Sequence, residues 1–286
     1  MTKAGYLQGE NMELSRQRKG EGAPFPDLVV FDAELEHCIH PVFLAEQLTR
    51  SLQRMQLTHI DCLLLHNPEY YLKWANHNNI DPEVAQTEYL RRIETAFRYL
   101  ESEVKSGRIG CYGISSNTFP KPATDYERTD LSAILALAEE ISQQHHFRVI
   151  EFPCNLFEPG AMVEENQPMN QTLIEFALDN QVTTLINRPL NAIQADQLIR
   201  LADNVYAGEA ARQVADFRRR LAGIDPAWSA DTLSRLAIRA LRSTAGIGSV
   251  LVGMRRKEYV EDVLQELREP CQISNRRQAW EMLAAM

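Results

Sequence analysis

His66 is the residue whose position in this sequence first suggests chemistry. It ends an apolar run, residues 60–65, and Asn67 and Pro68 follow it. A continuous apolar run of this length is typical of a buried strand in a parallel sheet. The C-terminal ends of such strands carry the reacting groups in α/β barrels, which makes His66 a candidate catalytic residue. A single His at a strand end does not establish catalysis, so its role depends on the rest of the chain.

Polar side chains also stand at the ends of the other apolar runs. Lys3 lies near the end of a short segment, residues 2–6, which we interpret as the tail of a strand. The run at 109–114 is followed by Ser115, Ser116 and Asn117, and the run at 148–151 ends in Glu151. Two later runs, at 182–186 and 249–252, are followed by further candidates: Asn187, Arg188, Pro189, Leu190, Gly253, Arg255 and Arg256.

Helical segments separate these runs. Residues 41–56 place four apolar side chains on one helical face: Leu44, Leu48, Leu52 and Met55. Asp81 and Pro82 begin a second helix, which Gly107 ends. Helices are also predicted at 130–144 and 169–180, after Asp231 and after Arg256, whereas residues 7–27 and 67–81 are predicted to be loops. Strands that alternate with helices, without short hairpins, predict a parallel sheet of the α/β class.

The composition narrows the classes of function. The 286 residues are 44% hydrophobic, enough for the core of a single barrel or a two-layer domain. Asp and Glu exceed Lys and Arg by 39 to 30, a formal charge of −9, which argues against nucleic acid as a partner. The sequence has no long uncharged apolar run and its start does not resemble a signal peptide, so we expect no membrane span and a cytoplasmic location.

The cysteines do not suggest a disulfide framework. There are five, an odd number, and they are widely scattered. We interpret them as reduced thiols, with Cys62 and Cys111 acting as small hydrophobic residues inside strands. The close spacing of His37, Cys38 and His40 fits no common metal site, so no metal is expected.

Five segments carry a resemblance to a known family: LxRxxLTHIDCLLLHNP, GRIGCYGISSN, EFPCNLFE, NRPLNA and SVLVGMRRKEYVEDVL. Their order and approximate spacing, over nearly the whole chain, resemble those of the aldo/keto reductases. The resemblance implies a single domain of the (β/α)8-barrel type over residues 1–286. It also implies a nicotinamide dinucleotide, usually NADPH, at the C-terminal face. No predicted strand is followed by GxGxxG, which agrees with a family that binds the dinucleotide without a Rossmann fold.

The resemblance also assigns catalytic residues. In the family a Tyr hydroxyl protonates the carbonyl oxygen, a Lys lowers the pKa of that Tyr, an Asp pairs with the Lys, and a His orients the carbonyl. Lys3 and His66 match the Lys and the His. The family's Tyr and Asp lie before the Lys, and only two residues precede Lys3, so we expect about six of the eight strands and no counterpart of either residue. Tyr6, Tyr70 and Tyr71 are candidates for a replacement acid.

Most of the remaining candidates match residues that bind the dinucleotide. Those implied to hold the nicotinamide carboxamide are Ser115, Ser116, Asn117 and Glu151, where Glu151 replaces a Gln and can accept but not donate a hydrogen bond. Asn187 stands where an aromatic ring often stacks on the nicotinamide, and the pyrophosphate is assigned to Arg188, Pro189 and Leu190. The adenosine end is assigned to Gly253, Arg255, Arg256 and Tyr259, and the two arginines favour NADPH over NADH.

Two functions follow from this reading. The first is an NAD(P)H-dependent oxidoreductase that transfers a hydride between a nicotinamide and the carbonyl of a small aldehyde or ketone. The alternative is a non-catalytic dinucleotide-binding or regulatory module, or an inactive fragment, because the family's Tyr and Asp have no counterpart. An unrelated α/β protein would require five coincident segments. The sequence leaves the substrate and the oligomeric state open.

Overall fold

The structure, a computed structural model, describes residues 1–194, 197–201 and 208–286. The chain divides into two compact units, Met1–Ile150 and Glu151–Met286. One strand crosses the division, because it begins in the first unit and ends in the second: Phe147–Pro153.

The first unit contains short strands and a helix near its start, followed by longer elements. The early elements are β1 (Thr2–Ala4), β2 (Tyr6–Leu7), α1 (Glu10–Gly20), β3 (Val29–Val30) and β4 (Glu36–His37). The longer ones are α2 (Pro41–Met55), β5 (Ile60–His66), α3 (Tyr70–His77), α4 (Pro82–Lys105), β6 (Ile109–Ser115), α5 (Leu131–Ile141) and β7 (Phe147–Pro153).

The sheet of the first unit is built on β5. Strand β1 pairs with it in parallel, with Lys3 opposite Leu64, and β6 pairs with its other edge, with His66 opposite Ser115. Three consecutive leucines of β5 are buried, as continuous apolar strands require when both faces of a parallel sheet are covered. The rings of Phe97, Tyr112 and Phe147 pack together in the core.

Helix α4 follows the predicted signals closely. The Asp81 side chain accepts hydrogen bonds from the backbone amides of Glu83 and Val84, and Pro82 occupies the first turn. Gly107, with a φ of 75°, takes the left-handed conformation that ends the helix. The strand and helix predicted on either side of Gly107 are therefore confirmed.

Two loop predictions were wrong. Residues 10–20 form α1, a polar helix in which only Met12 and Ser15 are buried. Its tertiary contacts hold it in place, since the Ser15 hydroxyl donates to Glu36 at 2.5 Å and the amides of Asn11 and Gln47 bond each other at 3.0 Å. The segment 67–81 contains α3, whose buried residues are Tyr71, Leu72 and Ala75.

The second unit contains the end of β7 and the remaining elements. In chain order these are α6 (Gly160–Val163), a 3-10 turn (Pro168–Asn170), α7 (Leu173–Asp179), β8 (Thr183–Asn187), β9 (Asn191–Gln194) and β10 (Gln197–Arg200). They continue with α8 (Glu209–Ile224), α9 (Leu233–Arg242), β11 (Ser249–Val250), α10 (Lys257–Arg268) and α11 (Arg277–Ala284). Strand β11 pairs in parallel with β8, and β9 pairs with β10 in a separate antiparallel hairpin.

Helix α7 has a complete capping box, in which the Thr172 side chain accepts from the amide of Glu175 and the Glu175 carboxylate accepts from that of Thr172. The predicted cap of α9 is shifted by one residue: Thr232 accepts from the amide of Arg235, whereas Asp231 forms an ion pair with the Arg235 guanidinium. Residues 191–230, predicted to be partly helical, contain β9, β10 and α8; residues 195–196 and 202–207 lie outside the described part of the chain.

Six strands of the described residues form one sheet, in the order β1-β5-β6-β7-β8-β11. Each of the pairs β1–β5, β5–β6 and β8–β11 is parallel, and helices connect most neighbouring strands. The predicted class, an α/β fold of the (β/α)8-barrel type with about six of eight strands, is confirmed. None of the described helices is both long and apolar enough to cross a membrane.

Candidate active site

Lys3 and His66 lie at the same end of the sheet in the first unit. Lys3 Nζ donates a hydrogen bond to Ser115 Oγ at 3.2 Å, and Ser115 is the register partner of His66. The ammonium thus reaches from β1 to β6, across the strand that carries His66. A cation, an imidazole and a hydroxyl therefore meet at the C-terminal ends of three parallel strands.

Tyr6 adds a phenol to this group. Its ring packs edge-on against His66, with 4.6 Å between ring centroids, and edge-on against Tyr70 at 5.2 Å. Asn67 Nδ2 donates a hydrogen bond to Tyr6 Oη at 2.6 Å. Burial, followed by a hydrogen bond with Tyr70, raises the pKa of Tyr6 well above its ordinary value, so the phenol keeps its proton at neutral pH.

His37 contacts the backbone of His66. His37 is 2% exposed, and its Nε2 lies 2.7 Å from the carbonyl oxygen of His66. A carbonyl oxygen only accepts hydrogen bonds, so Nε2 carries the proton and donates it. Burial lowers the pKa of His37 to about 4, which keeps this imidazole neutral near pH 7. Because its ring also stacks on Tyr70 at 5.6 Å, His37 fixes both the backbone and an aromatic neighbour of the group.

The turn after β5 is held by two polar residues. Asn67 has a φ of 51°, a left-handed conformation that Asn tolerates. Its backbone N–H donates to the Ser115 carbonyl at 2.6 Å. Glu69 is 0% exposed, and its Oε1 accepts from the backbone amide of Asn117 at 2.9 Å. Burial raises the pKa of the Glu69 carboxyl. These bonds tie the loop after β5 to the loop after β6.

Ser116 and Asn117 occupy different positions in the loop after β6. The Ser116 hydroxyl is buried in a cluster with Thr118 and Thr129, each 3.0 Å away, and Thr129 in turn bonds the Tyr89 hydroxyl at 2.8 Å. The Asn117 side chain is half-buried. The structure therefore places Ser115 beside Lys3 and places the Ser116 side chain inside the protein.

In the second unit, Glu151 and Asn187 are neighbours. Asn187 Nδ2 donates to Glu151 Oε1 at 2.9 Å, and Glu151 is 1% exposed. Asn187 Oδ1 is buried and has no hydrogen-bond partner among the described residues. An amide oxygen in that state fits a ligand with an N–H group, such as a carboxamide.

Asn155 organises the loop after β8. Its buried Nδ2 donates to Glu158 Oε2 at 2.7 Å, to the Arg188 carbonyl at 3.2 Å and to the Asn191 carbonyl at 3.3 Å. Arg188 itself has a φ of 53° and forms an ion pair with Glu158 at 3.0 Å. Pro189 is buried and Leu190 is half-buried. These bonds fix the loop 187–191, which carries the Arg188 guanidinium.

The third candidate segment precedes α10. Gly253, Arg255 and Arg256 are exposed, and Arg256 is the residue that immediately precedes the helix. Its guanidinium carbon lies 5.9 Å from the centroid of the Tyr259 ring. Two exposed guanidinium groups at a helix start form a donor set suited to a phosphate.

Several of these residues were missed by the sequence-based reasoning. Asn67, Glu69, His37 and Asn155 received no role, although Asn67 and Asn155 lie inside the segments that carried the family resemblance. A polar residue directly after a strand is the signal that would have found Asn67. Tyr6 was one of three candidate acids. Tyr6 contacts His66. The ring of Tyr71 instead stacks on Trp74, with 6.0 Å between ring centroids, and the Arg92 guanidinium lies over it.

Comparisons with known proteins bear on the family and the fold of this chain. The sequence matches the profile of the Aldo/keto reductase family over residues 29–277. A comparison with curated proteins gave no match. Among solved structures, the chain is similar to a thermostable aldo-keto reductase, Tm1743, in complex with the inhibitor epalrestat, with 15% identity and a TM-score of 0.51. That alignment covers 86% of this chain and 67% of the other.

Two other solved structures show the same likeness. Aldo-keto reductase AKR11C1 from Bacillus halodurans, in its holo form, has 14% identity and a TM-score of 0.52, with 89% of this chain and 68% of that chain covered. The glycerol dehydrogenase AKR11B4 from Gluconobacter oxydans has 14% identity and a TM-score of 0.52, with 90% and 69% covered. At such identities the likeness shows a shared fold.

Proposed function

The chain belongs to the aldo/keto reductase family, and we propose that it is an NAD(P)H-dependent oxidoreductase acting on the carbonyl group of a small aldehyde or ketone. The observation that carries the proposal is the group formed by Lys3, His66 and Ser115 at the C-terminal end of the sheet. On this proposal, residues 1–286 act as a single domain in the cytoplasm, with a small carbonyl compound as the substrate.

Lys3 and His66 have complementary tasks at a carbonyl group. Negative charge develops on the carbonyl oxygen during reduction, and an ammonium stabilises that charge when it is placed beforehand. The imidazole of His66 donates a hydrogen bond that orients the same oxygen. The hydrogen bond from His37 to the His66 carbonyl fixes the backbone of His66 and thereby limits the movement of its imidazole ring.

Tyr6 is the proposed proton donor. Its phenol contacts the His66 ring and is hydrogen-bonded by Asn67. The raised pKa makes the Tyr6 phenol a weak acid in the resting protein. An adjacent cation would lower that pKa when a substrate brings the groups together.

NADPH, when bound, would supply the hydride. In the first unit the proposed contacts to its nicotinamide are Ser115 and Asn117, with Ser116 fixing the loop between them through its buried hydroxyl. In the second unit the proposed carboxamide contacts are Glu151 and Asn187, whose buried Oδ1 fits an N–H donor. Arg188, Pro189 and Leu190 are proposed for the pyrophosphate, and the 2′-phosphate and adenine are assigned to Gly253, Arg255, Arg256 and Tyr259.

The proposal is tested with the full chain, NADPH and a panel of small aldehydes and ketones, with nicotinamide oxidation followed by absorbance. We expect turnover in the wild type and a loss of about 100-fold or more in His66→Ala. His77→Ala is the matched control, because His77 is exposed at the end of α3 and should leave the rate unchanged.

Two other outcomes are informative. NADPH binding without turnover of any carbonyl compound would favour the non-catalytic dinucleotide-binding module. Absence of NADPH and NADH binding in a folded preparation would overturn the proposal. Tyr6→Phe tests the proton donor against Tyr126→Phe, which removes a hydroxyl that bonds the Ile80 carbonyl at 2.8 Å instead.

A further inference from the structure

Cys62 and Cys111 face each other across two strands of the first unit. They are direct register partners in the parallel pair β5–β6. Side chains alternate along a strand, so both thiols lie on the face that also carries His66 and Ser115, four residues further along their strands. The Cys111 thiol donates a hydrogen bond to the Asp61 carbonyl at 3.4 Å. The sequence had suggested two unrelated small hydrophobic residues.

The geometry of this pair is compatible with a covalent bond. Neighbouring strands lie about 4.8 Å apart, and the Cα atoms of disulfide-bonded cysteines are usually about 4.4–6.8 Å apart. Both thiols are free in the structure. Strands β5 and β6 therefore hold the two sulfur atoms within reach of each other.

The two thiols differ in their surroundings. Cys62 is 6% exposed, whereas Cys111 is only partly buried, so reagents reach Cys111 first. The positive charge of Arg148 and a smaller contribution from His146 favour the Cys111 thiolate, while the negative charge of Asp61 opposes it. A partly exposed thiol beside a guanidinium is typical of reactive cysteines.

We propose that Cys62 and Cys111 are a redox-active dithiol that hydroperoxides oxidise to a disulfide between β5 and β6. The Cys111 thiolate attacks a peroxide oxygen, the O–O bond breaks, and a sulfenic acid forms with release of water or alcohol. The Cys62 thiol, after losing its proton, then attacks the Cys111 sulfur, the S–O bond breaks, and the hydroxide takes up that proton and leaves as water. In total the dithiol loses two electrons and two protons, and the peroxide is reduced.

The acid–base properties support this order of events. The nearby Cys62 thiol and then, against the effect of burial, the positive charge of Arg148 lower the pKa of Cys111. The nearby Cys111 thiol and burial raise the pKa of Cys62. Cys111 is thus the attacking thiol and Cys62 the resolving one.

The primary experiment titrates the reduced full chain with sub-stoichiometric hydrogen peroxide at pH 7, followed by alkylation, non-reducing digestion and mass spectrometry. We expect a peptide pair linked through Cys62 and Cys111, reversed by dithiothreitol. Cys271 is the internal control, because it is also partly exposed and has no such partner in the described chain. Preferential oxidation of Cys271, or dimers linked between chains, would overturn the proposal.

Two variants separate the steps. Cys62→Ala should leave a Cys111 sulfenic acid that dimedone traps, and Cys111→Ser should abolish the linked peptide. In the wild type, alkylation at pH 7 should modify Cys111 before Cys62, because Cys111 is partly exposed and Cys62 is buried. Alkylation of Cys62 before Cys111 contradicts the proposal even if a variant fails to fold.

Discussion

The Lys3 ammonium donates a hydrogen bond to the Ser115 hydroxyl at 3.2 Å, although the two residues are 112 positions apart in the chain. The bond exists because β1 and β6 lie on opposite sides of β5, and because a lysine side chain is long enough to cross one strand. It brings the cation over the strand that ends in His66.

Replacing Lys3 with Met should lower carbonyl turnover by about 100-fold, because the charge that stabilises the developing oxyanion is lost. The rate constant kcat measured with NADPH tests this. Lys3→Arg keeps the charge and should retain part of the activity, and Lys105→Met, at the end of α4, is the control. An unchanged kcat in Lys3→Met would remove Lys3 from the proposed chemistry.

Acid should destabilise the protein through His37. Its pKa is lowered from 6.5 to about 4, so between these values the unfolded chain binds more protons than the folded one. The contribution of His37 to stability is fully present above pH 6.5 and decreases as the pH falls toward 4, by about 3 kcal/mol at most. His37→Gln keeps an N–H donor at the Nε2 position and should remove this part of the pH dependence. Denaturant midpoints measured from pH 7 to pH 4 in both proteins provide the comparison.

Gly5 is required by close packing. A Cβ at this position would collide with the His66 carbonyl oxygen and with His37 Nε2. Gly5→Ala should therefore destabilise the fold by about 1–3 kcal/mol and lower activity, because the strain falls on His66. Gly20→Ala at the end of α1 has no atom within 4 Å of the added Cβ and is the matched control. Equal unfolding midpoints for the two variants would contradict this account.

The buried carboxyl of Glu69 should oppose stability as the pH rises. Burial raises its pKa, so above the ordinary Glu pKa of about 4.3 the folded chain holds a proton that the unfolded chain has lost. The contribution of Glu69 to stability is present at low pH and is lost as the pH rises through the pKa of this carboxyl in the folded protein. Glu69→Gln keeps an acceptor for the Asn117 amide and should gain stability relative to the wild type over this range. Parallel thermal melts at several pH values measure the difference.

Asn155 should matter for both stability and dinucleotide affinity. Asn155→Ala removes the donor that holds the carbonyls of Arg188 and Asn191, at a cost of about 1–3 kcal/mol. We expect weaker NADPH binding by fluorescence titration, because the loop with Arg188 loses its anchor. Asn180→Ala, which removes an exposed bond to the Phe176 carbonyl at 2.8 Å, is the control. An affinity for NADPH equal to that of the wild type would show that this loop does not contribute to cofactor binding.

Sequence reasoning was most successful where local signals decide the structure. The apolar runs predicted β5 and β6 to within a residue, because a buried strand needs nothing beyond its own side chains to be recognised. The Asp81–Pro82 start of α4 was equally clear. Sequence reasoning failed for α1, because its polar sequence has little apolar periodicity and its tertiary hydrogen bonds are made with residues 21 and 36 positions away.

The sequence by itself therefore determined the order of strands and helices, the α/β class, the family and the placement of polar residues at strand ends. Only the tertiary structure decided which of these residues meet: Lys3 with Ser115, Tyr6 with His66, and Cys62 with Cys111. The physical reason is that secondary structure follows from the period of nearby side chains, whereas the Lys3–Ser115 and Cys62–Cys111 contacts depend on which strands pair and in which register. The Tyr6–His66 contact depends on how strands of two separate sheets pack. A shift of one residue in the register of the larger sheet would place the members of the first two pairs on opposite faces.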